Sequence, residues 1–222
     1  DLETPLTTWL KVGEGNSPGV LLESIEGGDT LGRWSVIASD PLWFVKANGD
    51  RLTRKWRDGH SEEVLGNPFA ILKDWLNPYK SLCLPDLPPL GQLYGMWGYE
   101  LINWIEPTVP VYTSKSKDLP DGVWMFMDKI LIFDQVKRLI TAISYGDLTN
   151  GKTPESAYEK ALDQIHILKK RMAEPLPKVD PLPWKLNGDN SPITKSNVSQ
   201  NDFESSVKDA KAYIEKGDVF QL

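Results

Sequence analysis

Cysteine and histidine, two residue types that often carry out chemistry, are scarce in this sequence of 222 residues. Its single cysteine, Cys83, cannot form an internal disulfide. With only two histidines, His60 and His166, it cannot assemble a zinc site from the usual cysteine and histidine ligands. A partly exposed position on a helix is the interpretation we favour for His166, which has no neighbour that suggests catalysis.

Three glycines at close spacing, Gly91, Gly95 and Gly98, could in principle cradle a phosphate. However, residues 91–101 lack the Lys-Ser/Thr pair of a P-loop and the GxGxxG order of a dinucleotide-binding fold. Glycines in strands often mark places where another part of the backbone approaches closely. The run therefore predicts close packing against an aromatic layer and not a phosphate site.

One short segment places a carboxylate next to a hydroxyl at the end of a strand. The strand predicted over residues 19–24 ends in Glu23 and Ser24, and the turn residues 26–29 follow at once. From the residues alone, this pair is the polar end of a strand that enters a turn. A binding role for it needs support from the rest of the sequence.

The composition excludes several classes of protein. With 40% apolar and 25% charged residues, the chain resembles an ordinary globular domain. No apolar run approaches the roughly 20 residues that span a bilayer, and the first residues have neither part of a secretion signal. Dispersed basic residues and a net charge of −6 argue against a nucleic-acid surface. We therefore expect a cytoplasmic protein that binds neither membranes nor nucleic acids.

Strand patterns occupy the first and middle parts of the chain. Short apolar or alternating runs between turn residues predict strands, with a hairpin at Asn48-Gly49. The alternation over residues 51–56 favours a sheet edge with one wetter face. Most of the nine tryptophans are expected in cores and on sheet faces. The predicted strands are residues 19–24, 33–38, 42–46, 51–56, 123–127, 129–133 and 139–143.

Capping residues predict three helices. Asn67 with Pro68, Thr153 with Pro154, and Ser199 each provide a helix start. Apolar residues then recur at helical spacing, which predicts one buried face on each helix. On the second and third helices these faces consist of Tyr158, Ala161, Leu162, Ile165, Leu168 and Met172, and of Phe203, Val207, Ala210 and Ile214.

A proline-rich stretch divides the chain. Residues 173–195 hold five prolines and a turn at 187–190, which is typical of a linker between domains. We therefore predict a first domain over residues 1–172 and the start of a second over residues 196–222. Mostly antiparallel strands with packed helices predict an α+β fold. Because residues 218–222 begin an extended apolar run, we expect these 222 residues to be part of a longer polypeptide.

Three segments carry a family resemblance. Residues 21–28 with residues 32–35 resemble an LLES…GRYS motif, with Trp34 in place of the usual tyrosine. Residues 95–100 resemble a GxxGYxxYD stretch but end in glutamate, and residues 213–221 resemble a YIxxGDIFQ segment. In this order, the set resembles the amino-terminal portion of anthranilate synthase component I and aminodeoxychorismate synthase component I, a family of chorismate-utilising enzymes. The three segments in this order are specific to the family, whereas any one of them alone is a weak signal of it.

The resemblance implies a synthase that converts chorismate and ammonia to anthranilate and pyruvate in tryptophan biosynthesis. Ammonia would come from glutamine through an amidotransferase subunit or domain, and Mg²⁺ would bind the substrate carboxylate through glutamates. The family's fold is a β/α/α/β layered sandwich. Its catalytic and metal-binding residues lie in the carboxyl-terminal domain, so we expect none of them in this chain. Residues 1–172 would then be regulatory, and residues 196–222 would begin the chorismate-binding catalytic domain.

The resemblance also assigns an effector site. In many members of the family the LLES strand lines the pocket for tryptophan, the feedback inhibitor, which maps onto Leu22, Glu23 and Ser24. A carboxylate and a hydroxyl can receive the ammonium of tryptophan, while a leucine and the strand backbone flank its indole. The rest of the pocket would come from the domain that this chain lacks.

Two other functions stay open at this stage. The chain could belong to aminodeoxychorismate synthase component I, on the route to p-aminobenzoate and folate, because both branches share these motifs. It could also be a non-catalytic tryptophan-binding regulatory module. An unrelated β-rich ligand-binding protein is the weakest alternative.

Overall fold

The structure is a computed structural model, and the residues it describes form two compact units, within residues 1–178 and within residues 179–222. The turn predicted at 26–29, Cys83 and the larger part of the predicted linker lie outside the described residues. The described residues are 3–13, 17–24, 32–79, 84–88, 90–110, 119–178 and 196–222.

Nine strands of the described chain build two antiparallel sheets in the first unit. The first sheet has the order β1-β2-β8-β9 and the second has the order β5-β4-β3-β7-β6. The strands are β1 (Gly19–Leu22), β2 (Trp34–Ser39), β3 (Trp43–Asn48), β4 (Arg51–Trp56), β5 (Ser61–Leu65), β6 (Leu93–Trp97), β7 (Gly122–Phe126), β8 (Lys129–Asp134) and β9 (Leu139–Ser144).

Five helices accompany these strands in the described residues, which confirms the predicted α+β class. Helix α1 was not expected from the sequence, although Pro5 begins it and the Thr4 hydroxyl accepts a hydrogen bond from the Thr7 N–H at 3.1 Å. The helices are α1 (Pro5–Val12), α2 (Pro68–Leu76), α3 (Ile102–Ile105), α4 (Pro154–Ala173) and α5 (Gln200–Lys216), with 3₁₀ turns at Tyr99–Leu101 and Thr149–Gly151.

Three apolar clusters hold the first unit together. One lies between the first sheet and helices α1 and α4, and a second packs α2 onto the second sheet. The third joins residues that border the two sheets. Their buried members are, in that order, Val12, Ile37, Leu131, Phe133 and Leu168; Trp43, Val45, Ala47, Leu52, Leu72, Trp124 and Phe126; and Ala38, Met127, Ile130 and Ile132.

The chain passes from one sheet to the other at two neighbouring crossings. Residues 40–42 lead from β2 to β3, and residues 127–128 lead from β7 back to β8. The two crossings are tied together because the Leu42 N–H donates to the Phe126 carbonyl at 2.8 Å. Strands 2 and 8 pair in one sheet while strands 3 and 7 pair in the other, so both sheets share this corner.

Four charged side chains fill the corner. Lys129, whose side chain is only 3% exposed, donates to the Asp40 carboxylate at 2.8 Å and to the Asp40 carbonyl at 3.2 Å. Arg57 lies 2.9 Å from the same carboxylate and donates to Asp128 at 2.9 Å and 2.6 Å. Asp40 has a φ of 55°, a left-handed conformation that aspartate tolerates better than most residues. The cluster therefore compensates buried charge where the backbone turns sharply.

Two of the three glycines in the run pack closely, as predicted, but the prediction was wrong for Gly91, where an added Cβ would meet no atom within 4 Å. A Cβ at Gly95 would collide with the Val123 carbonyl oxygen and lie 2.7 Å from Cδ1 of Trp124. At Gly98 a Cβ would lie 2.8 Å from the Asp121 carbonyl oxygen. These glycines allow β6 and the residue after it to approach an aromatic strand closely.

Some finer predictions were wrong. Strand β4 alternates between covered and wet residues, but it is not a sheet edge, because β5 pairs with its outer side. On α4, Ala157 and Leu168 are buried, whereas Tyr158 is 68% exposed because it borders an open apolar groove between the helix and the residues that end and follow β9. In the second unit, none of the residues of α5 is buried. Residues 218–222 are irregular and form no strand.

Replacing Lys129 with methionine tests the corner, because methionine keeps most of the side-chain volume but removes the charge. Asp40 would stay paired with Arg57 but lose its hydrogen bond from the ammonium, so we expect the free energy of unfolding to fall by about 2 kcal/mol. Urea denaturation measures it. The matched control is Arg51→Met, which breaks an ion pair with Glu63 in which both side chains are about half exposed. That change should cost less than about 1 kcal/mol, and equal losses would contradict the role of the corner.

Candidate functional site

The three predicted site residues lie where β1 ends. Leu22 is the last residue of the strand and is 49% exposed. Glu23 is exposed and Ser24 is half-buried, and both follow the strand as irregular backbone. Strand β1 pairs only with β2 among the described strands, so Leu22 lies on an edge strand of the first sheet. This position leaves an apolar side chain and a carboxylate available to a ligand.

The segments 21–24 and 32–35, which carried the first part of the resemblance, lie side by side. Leu22 is paired with Val36 at the end of the β1–β2 ladder. Beyond that pair, the Ser24 N–H donates to the hydroxyl oxygen of Ser35 at 3.3 Å. Ser35 is completely buried. A side-chain oxygen of β2 thus takes over as acceptor where the backbone ladder stops.

An ion pair fixes the start of β2. Arg33 donates to both carboxylate oxygens of Asp134, from Nε at 3.0 Å and from Nη2 at 2.6 Å. The Arg33 guanidinium also lies 4.3 Å from the centre of the Trp34 ring, a cation–π distance. A two-pronged pair of this kind restricts the arginine to one orientation. Asp134 is the last residue of β8, so the pair fastens the start of β2 to its neighbouring strand.

The same carboxylate organises the turn that follows β8. Oδ1 of Asp134 accepts hydrogen bonds from the backbone N–H groups of Val136 and Lys137, each at 3.0 Å. The hydrogen bonds from Arg33 and from these two N–H groups outweigh the opposing effect of desolvation and lower the pKa of Asp134 to about 2. The group is therefore ionised at neutral pH.

Arg33 and Ser35 lie within the 32–35 segment of the family resemblance, but sequence reasoning assigned no supporting role to them or to Asp134. Ser35 could have been singled out as a polar residue in an otherwise apolar strand, since buried hydroxyls need hydrogen-bond partners. Arg33 and Asp134 are 101 positions apart. Their pairing depends on strand order, which local patterns do not reveal.

A separate cleft of about 290 Å³ opens beside the charged corner, between the crossings and α4. Among the described residues, the cleft is lined by equal numbers of positive and negative side chains. The positive ones are Arg57, Lys152 and Lys160, and the negative ones are Asp128, Asp147 and Asp163. Burial would lower the pKa of Arg57, but Asp128 and Asp40 outweigh it and raise that pKa. The cleft therefore favours neither an anion nor a cation as a ligand.

Among the described residues, no group of three or more histidine, cysteine, aspartate or glutamate side chains lies close enough to hold a metal ion. No helix in this part of the chain is both long and apolar enough to cross a bilayer.

Comparison with known proteins points to one family. A family model described as chorismate binding enzyme matches residues 29–222. Anthranilate synthase component 1 of Synechocystis sp. (strain ATCC 27184 / PCC 6803 / Kazusa) is 43% identical over 228 residues, covering all of this chain and 45% of that protein. The protein of the same name from Acetivibrio thermocellus is 33% identical, with the same coverage. The chain thus spans less than half the length of the curated relatives it matches.

A solved structure shares the fold. The crystal structure of anthranilate synthase component I from Streptococcus pneumoniae TIGR4 aligns with 98% of this chain and 45% of its own chain, with a TM-score of 0.52 and 21% sequence identity. At that identity, the likeness concerns the fold alone.

The lowered pKa of Asp134 predicts how stability depends on pH. Because the folded-state pKa lies below the ordinary value of 3.8, ionised Asp134 stabilises the fold above that value. The contribution is lost as the pH falls towards about 2. Asp134→Asn should therefore be less stable than the parent protein at pH 7, and the difference should shrink between about pH 4 and about pH 2.

Urea unfolding at several pH values would measure this convergence. Glu63→Gln serves as the control, because Glu63 pairs with Arg51 on an exposed surface. Its difference from the parent protein should be small throughout. A gap for Asp134→Asn that stays constant down to pH 2 would contradict the assignment.

Proposed function

Because this chain belongs to the chorismate binding enzyme family, we propose that it is the regulatory portion and the start of the catalytic portion of an anthranilate synthase component I. The full protein would convert chorismate and ammonia to anthranilate and pyruvate in tryptophan biosynthesis. A glutamine amidotransferase subunit or domain would supply the ammonia. Within the chain, residues 1–172 are the regulatory domain, residues 173–195 the linker and residues 196–222 the start of the catalytic domain.

One observation carries the proposal: the Synechocystis protein named anthranilate synthase component 1 is 43% identical to this chain along its entire length. The same name applies to relatives from Acetivibrio thermocellus and Acinetobacter calcoaceticus, at 33% and 29% identity. Identity spread over the entire chain supports a shared role better than one motif does.

The role of the first unit is to bind tryptophan as the feedback inhibitor. The Glu23 carboxylate is exposed at a strand end and can pair with the ammonium of the effector, helped by Ser24. Leu22, which is half exposed, offers an apolar surface to an indole ring. Residues beyond this chain would complete the pocket, so the 222 residues alone should bind tryptophan weakly.

Mg²⁺ belongs to the proposed reaction but not to the described residues. A hard divalent cation needs several carboxylate or carbonyl oxygens, and no set of three acidic, histidine or cysteine side chains comes together in the described part of this chain. We assign the glutamates that would hold the ion to the remainder of the protein, as the family resemblance implies. The contribution of the present chain is to bind and position the effector through Leu22, Glu23 and Ser24.

Aminodeoxychorismate synthase component I is the second candidate, because its motifs are shared. A non-catalytic tryptophan-binding module is the third. The names of the relatives favour the first assignment over both.

The proposed activity predicts a fluorescent product. The full-length protein should form anthranilate from chorismate, Mg²⁺ and ammonia, and emission of anthranilate measures the rate. Consumption of chorismate without anthranilate fluorescence would favour the aminodeoxychorismate branch. If chorismate is not consumed, the protein is not this synthase.

The effector role predicts the effect of one substitution. In the full-length enzyme, Glu23→Gln should raise the inhibition constant for tryptophan at least about tenfold, because it removes a charge-assisted hydrogen bond to the ammonium. Initial rates of anthranilate formation at several tryptophan concentrations measure it. Glu62→Gln in the second sheet is the control and should leave inhibition unchanged. Equal inhibition of parent and Glu23→Gln enzymes would remove Glu23 from the site.

A further inference from the structure

The end of β1 leaves its partner strand in an unusual way. Pairing runs from Gly19 opposite Ser39 to Leu22 opposite Val36. If the ladder continued in this register, a backbone carbonyl of β2 would supply the next acceptor. Instead, the Ser24 N–H is bound by the side-chain oxygen of Ser35. The chain can therefore diverge from β2 after Leu22 while remaining attached to it.

Ser35, which binds the Ser24 N–H and is called the anchor below, is itself held in place. Ser35 is completely buried, so its hydroxyl is packed on all sides. Arg33, the residue before β2, is also fixed. Its carbonyl accepts a hydrogen bond from the Gln135 N–H at 2.8 Å, and its side chain donates to the Asp134 carboxylate. Both the backbone and the side chain of Arg33 are thus bound to the end of β8 and the turn after it.

These contacts form one connected path. The β8–β9 turn is ordered around Asp134, Asp134 holds Arg33, and Arg33 precedes the strand that carries Ser35. Ser35 in turn holds the backbone of Ser24. Residues 24 and 33, which flank the segment 25–32, are therefore both fixed to the first sheet.

We propose that Ser35, supported by the Arg33–Asp134 pair, is a positioning residue for tryptophan inhibition: it acts through the backbone of Ser24 and sets the affinity for the effector. This inference rests on the proposed function, since it concerns regulation at that site. The physical reason is preorganisation. A strand end that is already fixed loses less conformational freedom when the ligand binds, so the ligand binds more tightly.

The position of Ser35 predicts an effect on tryptophan inhibition but not on the rate of the uninhibited reaction. Ser35 is enclosed within the first unit and acts on the backbone after β1, where no reacting group has been placed. Its loss should therefore weaken inhibition and leave the uninhibited reaction almost unchanged. A residue that only stabilised the fold would lower the melting temperature without this selective effect.

The chain provides a closely matched control. Ser39 lies on the same strand, is 3% exposed, and donates its hydroxyl to the Val12 carbonyl at 2.9 Å. Ser39→Ala therefore removes a buried hydroxyl and one hydrogen bond from β2 without touching Ser24. Comparing Ser35→Ala with Ser39→Ala separates the proposed link from general loosening of the strand.

The experiment measures anthranilate formation by the full-length enzyme with and without tryptophan, together with the melting temperature. In Ser35→Ala the inhibition constant for tryptophan should rise severalfold, with about tenfold as the upper limit set by the free energy of one hydrogen bond. Its kcat and its KM for chorismate without tryptophan should stay within about twofold of the parent values. Ser39→Ala should be inhibited like the parent enzyme. Asp134→Asn, which weakens the support from a distance, should raise the constant by a smaller factor.

Three results would overturn the inference. If Ser35→Ala is inhibited like the parent enzyme, Ser24 does not need its anchor. If Ser35→Ala and Ser39→Ala lose inhibition equally, the effect is general loosening. If tryptophan does not inhibit the parent enzyme, the proposed effector site itself is wrong and the positioning role falls with it. Tryptophan inhibition of the parent enzyme thus tests the effector site, and the Ser35→Ala variant tests the positioning role separately.

Discussion

The arrangement of the first unit depends on the charged corner where the chain changes sheets. Lys129 is almost completely enclosed, and an unpaired ammonium there would carry a large desolvation penalty. Asp40 provides both a carboxylate and a carbonyl oxygen to that ammonium, while Arg57 joins Asp40 to Asp128. Because both crossings contribute to this cluster, the two sheets keep one relative position there. The first sheet in turn carries β1 and β2 and therefore the candidate effector site.

Much of the local structure could be predicted because its causes are local. The helix that begins at Pro68 follows from Asn67, whose side chain accepts from the N–H groups of Phe69 and Ala70. The hairpin between β3 and β4 follows from Gly49, which has a φ of 60°. What could not be predicted was which strands pair. The apolar runs 123–127 and 129–133 look like successive strands of one sheet, yet they belong to two.

The same distinction between local causes and long-range pairing applies to the candidate site. Glu23 and Ser24 were found through a resemblance, and from their types alone they would have been taken for the end of a strand. Arg33 and Ser35 belong to the same resemblance, but their supporting contacts, with Asp134 and with Ser24, became visible only when the sheet order brought β1, β2 and β8 together. Side chains that act on a ligand can be suggested by a motif. Those that hold the backbone in place depend on contacts between distant parts of the chain.

The two crossings also limit how such a chain can change in length during evolution. Pairing with neighbouring strands fixes the registers of β2 and β3, so neither strand can shift to absorb a change in the length of the connection between them. One inserted or deleted residue would therefore displace Asp40 from Lys129 and Arg57, or the Leu42 N–H from the Phe126 carbonyl. We therefore expect descendants of this fold to vary in their loops, while the number of residues between Ser39 and Trp43 stays constant.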